Sequence, residues 1–214
     1  MIAGEAALSN WDAGMDMYIY GKLGNLTMTK EGINVLMTNL TGKVPPILQR
    51  LDYIRFNGEA AGYLHDLTLT GLFHTGAGMV KTDVMMSIDE QSMSRTYSGS
   101  VASADLDLGK LLNQEKKFGK VDFNVELKGF NYKNRYPESY IKGIISSFEY
   151  SQYQYENIML DGVYKDGGFN GRLSMDDANG SVQIDGNFNV AKTIPDFNLK
   201  LSLIHISEPT RLRR

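Results

Sequence analysis

The chain has 214 residues, of which 42% are hydrophobic and 10% aromatic, so it can bury a sizeable core and is not intrinsically disordered. Its formal charge of −3 argues against a dedicated nucleic-acid-binding protein, because such proteins need clustered cations. It contains no cysteine, which excludes disulfides and thiolate chemistry.

Short segments of alternating apolar and polar residues recur along the chain and predict β-strands. Successive strand side chains point to opposite faces, so each segment buries one face and exposes the other. In chain order the apolar positions are Met15, Met17 and Ile19; Leu26 and Met28; Leu67 and Leu69; Val121, Phe123, Val125 and Leu127; Ile158 and Leu160; Phe169, Leu173 and Met175; Val182 and Ile184; and Phe197 and Leu199. Together with the turns between them, these segments predict about 12 to 14 strands.

Two turns and a short motif define how the strands connect. Residues 166–168 predict a β-hairpin, and the Asp- and Asn-rich residues 176–180 predict the next turn. The motif is apolar, polar, Gly, and its glycines are Gly21, Gly58, Gly71, Gly99, Gly129, Gly143, Gly162, Gly171 and Gly186. Glycines late in successive strands permit bends that would curve a sheet into a trough, although they could also simply end ordinary strands.

Two short helices are also expected. Residues 44–51 place proline at a helix start, and residues 107–112 offer Asp107 as N-cap before a leucine stripe. The sequence therefore predicts a mainly β fold. It would be a long, curved, open antiparallel meander sheet (a β-taco or an open solenoid-like trough) with one or two short helices. Residues 1–200 would form one continuous segment, with an internal boundary near 90–115 left open.

Several residues could form chemical sites, but each fits a structural role better. His65 and His74 have no partner at metal-ligand spacing, so ordinary strand-end or surface histidines are expected. The glycine-rich residues 71–78 lack the Lys-Ser/Thr of a phosphate-binding loop and predict a hairpin connection. Asp176 and Asp177 are typical turn residues.

The tyrosines at 150, 153 and 155 could form a stacking platform for sugars or bases, but they also suit half-buried strand positions. We find no catalytic residues, no metal site and no cofactor motif, so a non-enzymatic protein is expected.

The end of the sequence resembles something other than natural protein. Residues 201–211 read LSLIHISEPTR, which looks like an in-frame translation of an adapter used to prepare sequencing libraries. Residues 201–214 are therefore predicted to be a non-native tail, and the natural sequence is expected to stop near Lys200, in mid-strand. The alternative is a genuine last strand with a basic tip.

Seven strand–turn phrases resemble the TamB (translocation and assembly module) members of the AsmA-like superfamily of Gram-negative envelopes. They lie at residues 49–60, 62–71, 97–99, 105–112, 148–150, 158–164 and 169–177. The likeness covers about residues 16–200, and its motifs are degenerate. We expect the family's N-terminal membrane anchor and conserved C-terminal domain to lie outside this stretch.

The resemblance implies a periplasmic segment of an inner-membrane-anchored protein, with an apolar β-groove that conducts phospholipid between the two membranes. It implies phospholipid acyl chains as partners, an outer-membrane assembly barrel as a partner of the C-terminal region, no nucleic acid and no cofactor. The expected lipid-groove residues are Val121, Phe123, Val125, Leu127, Ile158, Leu160, Phe169, Leu173, Met175, Val182, Ile184 and Phe188.

Two other functions stay open at this stage. One is a periplasmic scaffold that assists outer-membrane protein translocation and assembly by strand pairing at its edge. The other is a surface adhesin with a closed β-solenoid core. Alternation alone does not decide whether the apolar face meets lipid or a second protein layer.

Overall fold

A computed structural model describes residues 4–10, 16–89, 91–92, 94–131, 138–166, 168–178, 180–189 and 196–206. Its twelve strands are β1 (Gly4–Ser9), β2 (Tyr18–Thr29), β3 (Tyr53–Tyr63), β4 (Asp66–Thr75), β5 (Gly78–Asp89), β6 (Ser94–Asp107), β7 (Phe118–Asn131), β8 (Glu138–Tyr150), β9 (Tyr153–Lys165), β10 (Gly168–Asp177), β11 (Gly180–Asn189) and β12 (Asp196–Ile206). They form one sheet in the order β1 to β12, with every pairing antiparallel. The predicted open meander is confirmed.

The hairpin turns follow local chemistry. Ser151 and Gln152 connect β8 to β9 with φ of 51° and 68°, the left-handed pair that a two-residue type I′ turn requires. The predicted turns at 166–168 and 176–180 join β9 to β10 and β10 to β11. The glycine-rich residues 71–78 end β4 and begin β5, so they form the expected hairpin connection.

Within the described residues three helices interrupt the meander: α1 (Lys30–Thr41), α2 (Pro46–Gln49) and α3 (Leu108–Leu112). The helices predicted within 44–51 and 107–112 are confirmed, and Asp107 caps α3 by accepting a 2.8 Å hydrogen bond from the amide of Lys110. The sequence did not predict α1. Its start is marked by the Thr29 hydroxyl, which accepts from the Gly32 amide, and its end by left-handed Gly42 at φ 74°.

Directly opposed residues of neighbouring strands share one face of a sheet, so the register divides the sheet into two faces. We call the side that carries Ile54, Phe123 and Leu160 the apolar face, and the side that carries Lys142 and Asp161 the polar face. A bulge at Asp105, with φ 53°, shifts the register between Ser103 and Leu106.

All three helices pack on one end of the apolar face. Ile33 of α1 is 2% exposed and forms a buried cluster with Leu51, Ile54, Ala77, Leu106 and Val121, against which Met28, Met37, Leu48, Phe73, Val80, Leu108, Leu111, Phe123, Ile145 and Phe148 pack. Strands β2 to β8 all contribute to this layer or to the turns beneath it. The best-buried part of the described chain is thus the layer between the helices and strands β2 to β8.

A polar clamp holds this end together. Lys110, at α3, donates to the Asp52 carboxylate at 2.8 Å and to the carbonyl oxygen of Gly76 at 3.2 Å. Asp52 precedes β3, and Lys110 lies in α3, which follows β6. The clamp therefore links the segment before β3 and the turn after β4 to the helix after β6.

The last strand runs into the segment that resembles an adapter. Lys200 lies in the middle of β12, which continues to Ile206, and residues 180–189 of β11 pair with it throughout. Residues 207–214 lie outside the described residues. Strand pairing needs only backbone groups and alternating side chains, so it is compatible with either origin of residues 201–206.

Candidate functional site: the apolar face

The register brings the predicted lipid-groove residues onto one face. Phe123 is followed across the sheet by Ile145, Ile158, Met175 and Val182. The next row on the same face runs from Val125 through Gly143, Leu160 and Leu173 to Ile184. Sequence alternation predicted these strand faces separately, and the pairing joins them into one surface.

The remaining members extend the same rows. Val121 pairs with Phe148, Leu127 pairs with Ile141, and Phe169 pairs with Tyr164. The backbone of Phe188 pairs with Phe169, and the Phe188 side chain lies outside the described part of the chain. The predicted positions are therefore contiguous from β7 to β11.

Burial divides the surface into a covered and an uncovered part. Val121 is buried in the cluster beneath the helices, and Phe123 packs against that cluster. Ile158 is buried outside it, and Val125, Leu127, Leu160 and the described predicted side chains of β10 and β11 are half-buried. No second sheet packs on this face within the described residues. The candidate site is therefore the half-buried part of the apolar face, from Val125 on β7 to Ile184 on β11.

Aromatic rings fill the glycine positions of this face. A Cβ at Gly162 would meet the Phe169 ring at 2.5 Å, and one at Gly71 would meet the Phe56 ring at 2.5 Å. Tyr97 lies over Gly129 in the same way, and its hydroxyl hydrogen-bonds with the Ser139 hydroxyl. Part of Phe169 thus packs on the sheet itself, which reduces the area it can offer to a ligand.

The alternation missed some residues of this face. Ile141 and Ile145 belong to it through their pairing with Leu127 and Phe123. Ile144 and Ile145 are adjacent in sequence, which obscures the period of two, and a register irregularity in β8 displaces the pattern further. The signal that could have found this strand is the spacing of Ile141, Gly143 and Ile145.

The described cavities open mainly on the polar face. One of about 480 Å³ is lined by Glu126, Lys142, Asp161 and Arg172, with Leu160 as the member of the predicted set that reaches it. Two others, of about 370 and 600 Å³, are also lined mainly by polar-face residues. The apolar candidate site is therefore an extended surface, separate from these hollows.

The polar face is organised by ion pairs between strands. Lys142 Nζ lies 3.6 Å from Asp161 Oδ2, and Arg172 Nε donates to Asp185 Oδ1 at 2.7 Å. Hydrogen bonds from Gln183 and then Arg172 lower the pKa of Asp185. Donation to Asp161 raises the pKa of Tyr140, because the protonated phenol makes the bond.

The histidines occupy separate environments. His65 lies in the turn between β3 and β4, stacks on Tyr63 at 5.3 Å and has its Nδ1 atom 3.6 Å from an Asp16 carboxylate oxygen. His74 is within β4, opposite Arg55 and Met79. Among the described residues, no group of three or more His, Cys, Asp or Glu side chains could hold a metal ion.

The other candidates pack as strand-end residues. Asp177 accepts a 3.0 Å hydrogen bond from the Tyr153 hydroxyl, while Asp176 accepts from Ser181. Tyr153 and Tyr155 make an edge contact at 4.6 Å, within a group that includes Tyr150. Asp176 and Asp177 are thus engaged separately, and the tyrosine rings contact other rings.

The described helices are all too short or too polar to cross a bilayer. The chain matches no family model, no curated protein and no solved structure. Its apolar face and its strand–turn phrases are the features that indicate a function.

Proposed function

We propose that this chain is a TamB-like segment of an envelope-biogenesis protein whose apolar face conducts phospholipid. The observation that carries the proposal is the uncovered row from Val125 through Leu160 and Leu173 to Ile184. An acyl chain needs a continuous apolar surface and no titrating group, and burial of each CH₂ contributes about 0.8 kcal/mol.

The dimensions of the face suit a lipid tail. Neighbouring strands lie about 4.8 Å apart, so the five intervals from β7 to β12 span about 24 Å. One leaflet of a bilayer contributes about half of its roughly 30 Å hydrocarbon core. A tail lying across the strands therefore fits within the span from β7 to β12.

The proposed setting follows from the resemblance. The segment would lie in the periplasm of a Gram-negative cell, in a protein anchored in the inner membrane. Its partners would be phospholipid acyl chains, with contact to an outer-membrane assembly barrel made by other parts of the protein. The proposed role is non-enzymatic and uses no cofactor.

Photo-crosslinking tests the proposal at two adjacent residues. Leu160 is on the apolar face, whereas Met159 is on the polar face and 55% exposed, so the two positions share a strand and differ in face. A photoreactive amino acid is placed at each position in turn, and each variant chain is directed to the periplasm. Phospholipid capture at 160 and none at 159 is expected; polypeptide alone at 160, or equal lipid capture at both, refutes the conduit.

A second pair of variants tests the same face without a probe. Leu160→Asp puts a charge on the lipid path, and Met159→Asp puts the same charge on the polar face. Lipid extracted from the purified chain should fall with Leu160→Asp and stay unchanged with Met159→Asp. Circular dichroism establishes whether both variants keep their strand content; lipid that stays bound to folded Leu160→Asp protein contradicts the proposal.

The scaffold hypothesis has one observation in its favour. β12 is the last strand of the described sheet, and its Leu199 side chain is 44% exposed, so an extended polypeptide could pair there. Capture of unfolded outer-membrane protein by a probe at 199, without lipid capture at 160, would favour it. The adhesin hypothesis needs a closed coil, and the open meander lends it no support.

A further inference from the structure

One row of the polar face carries charges whose sign alternates from strand to strand. Each member pairs directly with the next across β7 to β11, and we call the row the charge ladder: Glu126, Lys142, Asp161, Arg172 and Asp185. Lys142 with Asp161 and Arg172 with Asp185 form ion pairs within the chain. Neighbouring strands therefore present opposite charges along the whole ladder.

Apolar side chains flank the ladder on β8 and β9. Two directly opposed pairs, one on each side of the ladder, form what we call the polar-face patch: Tyr140 with Val163, and Ile144 with Met159. Tyr140 is 41% exposed, Ile144 39% and Met159 55%. An apolar centre surrounded by charged side chains is the pattern of a protein interface rather than of a solvated face.

The alternation of charge makes the ladder complementary to a rotated copy of itself. A two-fold axis that runs along the strands, between β8 and β9, places β8 over β9 of a second copy and β7 over β10. Lys142 then lies over the partner's Asp161, and Glu126 over the partner's Arg172. A surface of one sign, such as a nucleic acid, would meet like charges about as often as opposite ones. Charge complementarity therefore selects a second copy of this chain.

The same rotation brings the two polar-face patches together. Ile144 lies over the partner's Met159, and Met159 over the partner's Ile144. A hollow of about 480 Å³ is lined by these two residues and by ladder members. The partner's Met159 can enter this hollow, because the unbranched methionine side chain adapts to irregular spaces.

The twist of the sheet is compatible with this stacking. A regularly twisted sheet that is rotated about an axis along its strands has the same twist as before, so the stacked strands follow one another closely. Aligned packing of two sheets, about 10 Å apart, is the arrangement of β-sandwiches.

We propose that two copies of this chain stack by their polar faces about this two-fold axis. Strands β6 to β11 each have at least ten residues. Six such strands offer a face about 29 Å wide and about 34 Å long, which exceeds the roughly 800 Å² that each partner buries in an interface of standard size. The contact uses interior strands of the sheet. Both apolar faces point outward, so the association neither covers the proposed lipid path nor depends on lipid.

Mixing two charge-reversal variants tests the proposal. Sedimentation velocity of the purified 214-residue chain at rising concentration should show a monomer–dimer equilibrium. Glu126→Lys and Arg172→Glu should each lower the association constant about tenfold, because each substitution alters two symmetric contacts. An equal mixture of the two variants should restore dimers, since each substituted position then faces an opposite charge. Within one chain the two positions are about 14 Å apart, so this rescue reports a contact between copies.

A photoreactive amino acid in place of Met159 tests the centre of the contact. The purified chain should then form covalent dimers on illumination, whereas the same probe at Leu160, on the opposite face, should not. These chain-to-chain products are distinct from lipid capture at 160, so the two proposals can fail separately. Lys22→Glu changes an exposed polar-face cation on β2, outside β6 to β11, and should leave the association constant unchanged.

Three results would overturn the two-fold contact. The first is a chain that stays monomeric at all concentrations. The second is a mixture of the two ladder variants that associates no better than either variant alone. The third is a probe at 159 that yields no more covalent dimer than the probe at 160. If circular dichroism shows that a ladder variant is unfolded, the comparison of the two probes decides.

Discussion

Gly171 provides a quantitative test of how tightly the strands approach on the apolar face. A Cβ added there would lie 2.4 Å from the carbonyl oxygen of Asp161 and 2.5 Å from the Cα of Gly162, both backbone atoms of β9. Ordinary contacts begin about 1 Å farther out, so β9 and β10 would have to separate. Overpacking of this kind costs about 1–3 kcal/mol, and we expect Gly171→Ala to lower the free energy of unfolding by that amount.

Gly21 is the matched control. It also lies within a strand and on the apolar face, but among the described side chains a Cβ there would meet nothing closer than Leu23, at 3.9 Å. Gly21→Ala should therefore stabilise the chain by about 0.4–1 kcal/mol, because alanine restricts the unfolded state. The two substitutions are chemically identical, and their effects are expected to have opposite sign.

Urea unfolding followed by circular dichroism measures both variants against the unmodified chain. Hydrogen exchange then locates the change: Gly171→Ala should increase exchange of amides in β9 and β10 and leave those of β3 and β4 unchanged. If both variants unfold at the same urea concentration, the close approach of β9 and β10 plays no part in stability and the reasoning fails.

Three further outcomes concern the helix-covered end. Asp107→Ala removes the N-cap of α3 and should lower the free energy of unfolding by about 0.5–2 kcal/mol, whereas Asp107→Asn should retain most of it. Ile33→Ala should cost about 2–5 kcal/mol in the same urea assay, and Val35→Ala, on the same helix but 63% exposed, should change it by less than about 0.5 kcal/mol. A hydrogen bond from Lys110, and then its charge, lowers the pKa of Asp52, so this pair stabilises the fold above the ordinary pKa of an aspartate and less as the pH falls through the lowered value. Lys110→Met should return the pKa of Asp52 toward its usual range in an NMR titration, and an unchanged pKa would contradict the clamp.

Much of the fold could be predicted from local sequence patterns. The buried face of β7 is predicted by the alternation from Val121 to Leu127, because side-chain direction alternates with each residue. The hairpin at 166–168 is predicted by its Asp and Gly residues, which favour turns. Asp107 likewise marked α3 through a contact only three residues away. These features depend on neighbours in sequence.

Other features depend on contacts that the sequence does not display. α1 contains Gly32 and the β-branched Val35, so its helix propensity is weak. Burial of its Ile33 side chain against the sheet supplies the stability that helix propensity does not. The pairing of Lys142 with Asp161 requires the register of β8 and β9. The row of lipid-groove candidates could be predicted strand by strand, but its partial cover by helices could not.

Extensive contacts between strands in the described chain join only sequence neighbours. Each hairpin can therefore form as soon as its second strand is available, without waiting for a distant partner. A chain threaded across a membrane from one end could fold progressively behind the point of entry. The same property removes any fixed size, because hairpins can be added to or deleted from such a sheet at a cost confined to the neighbouring strands.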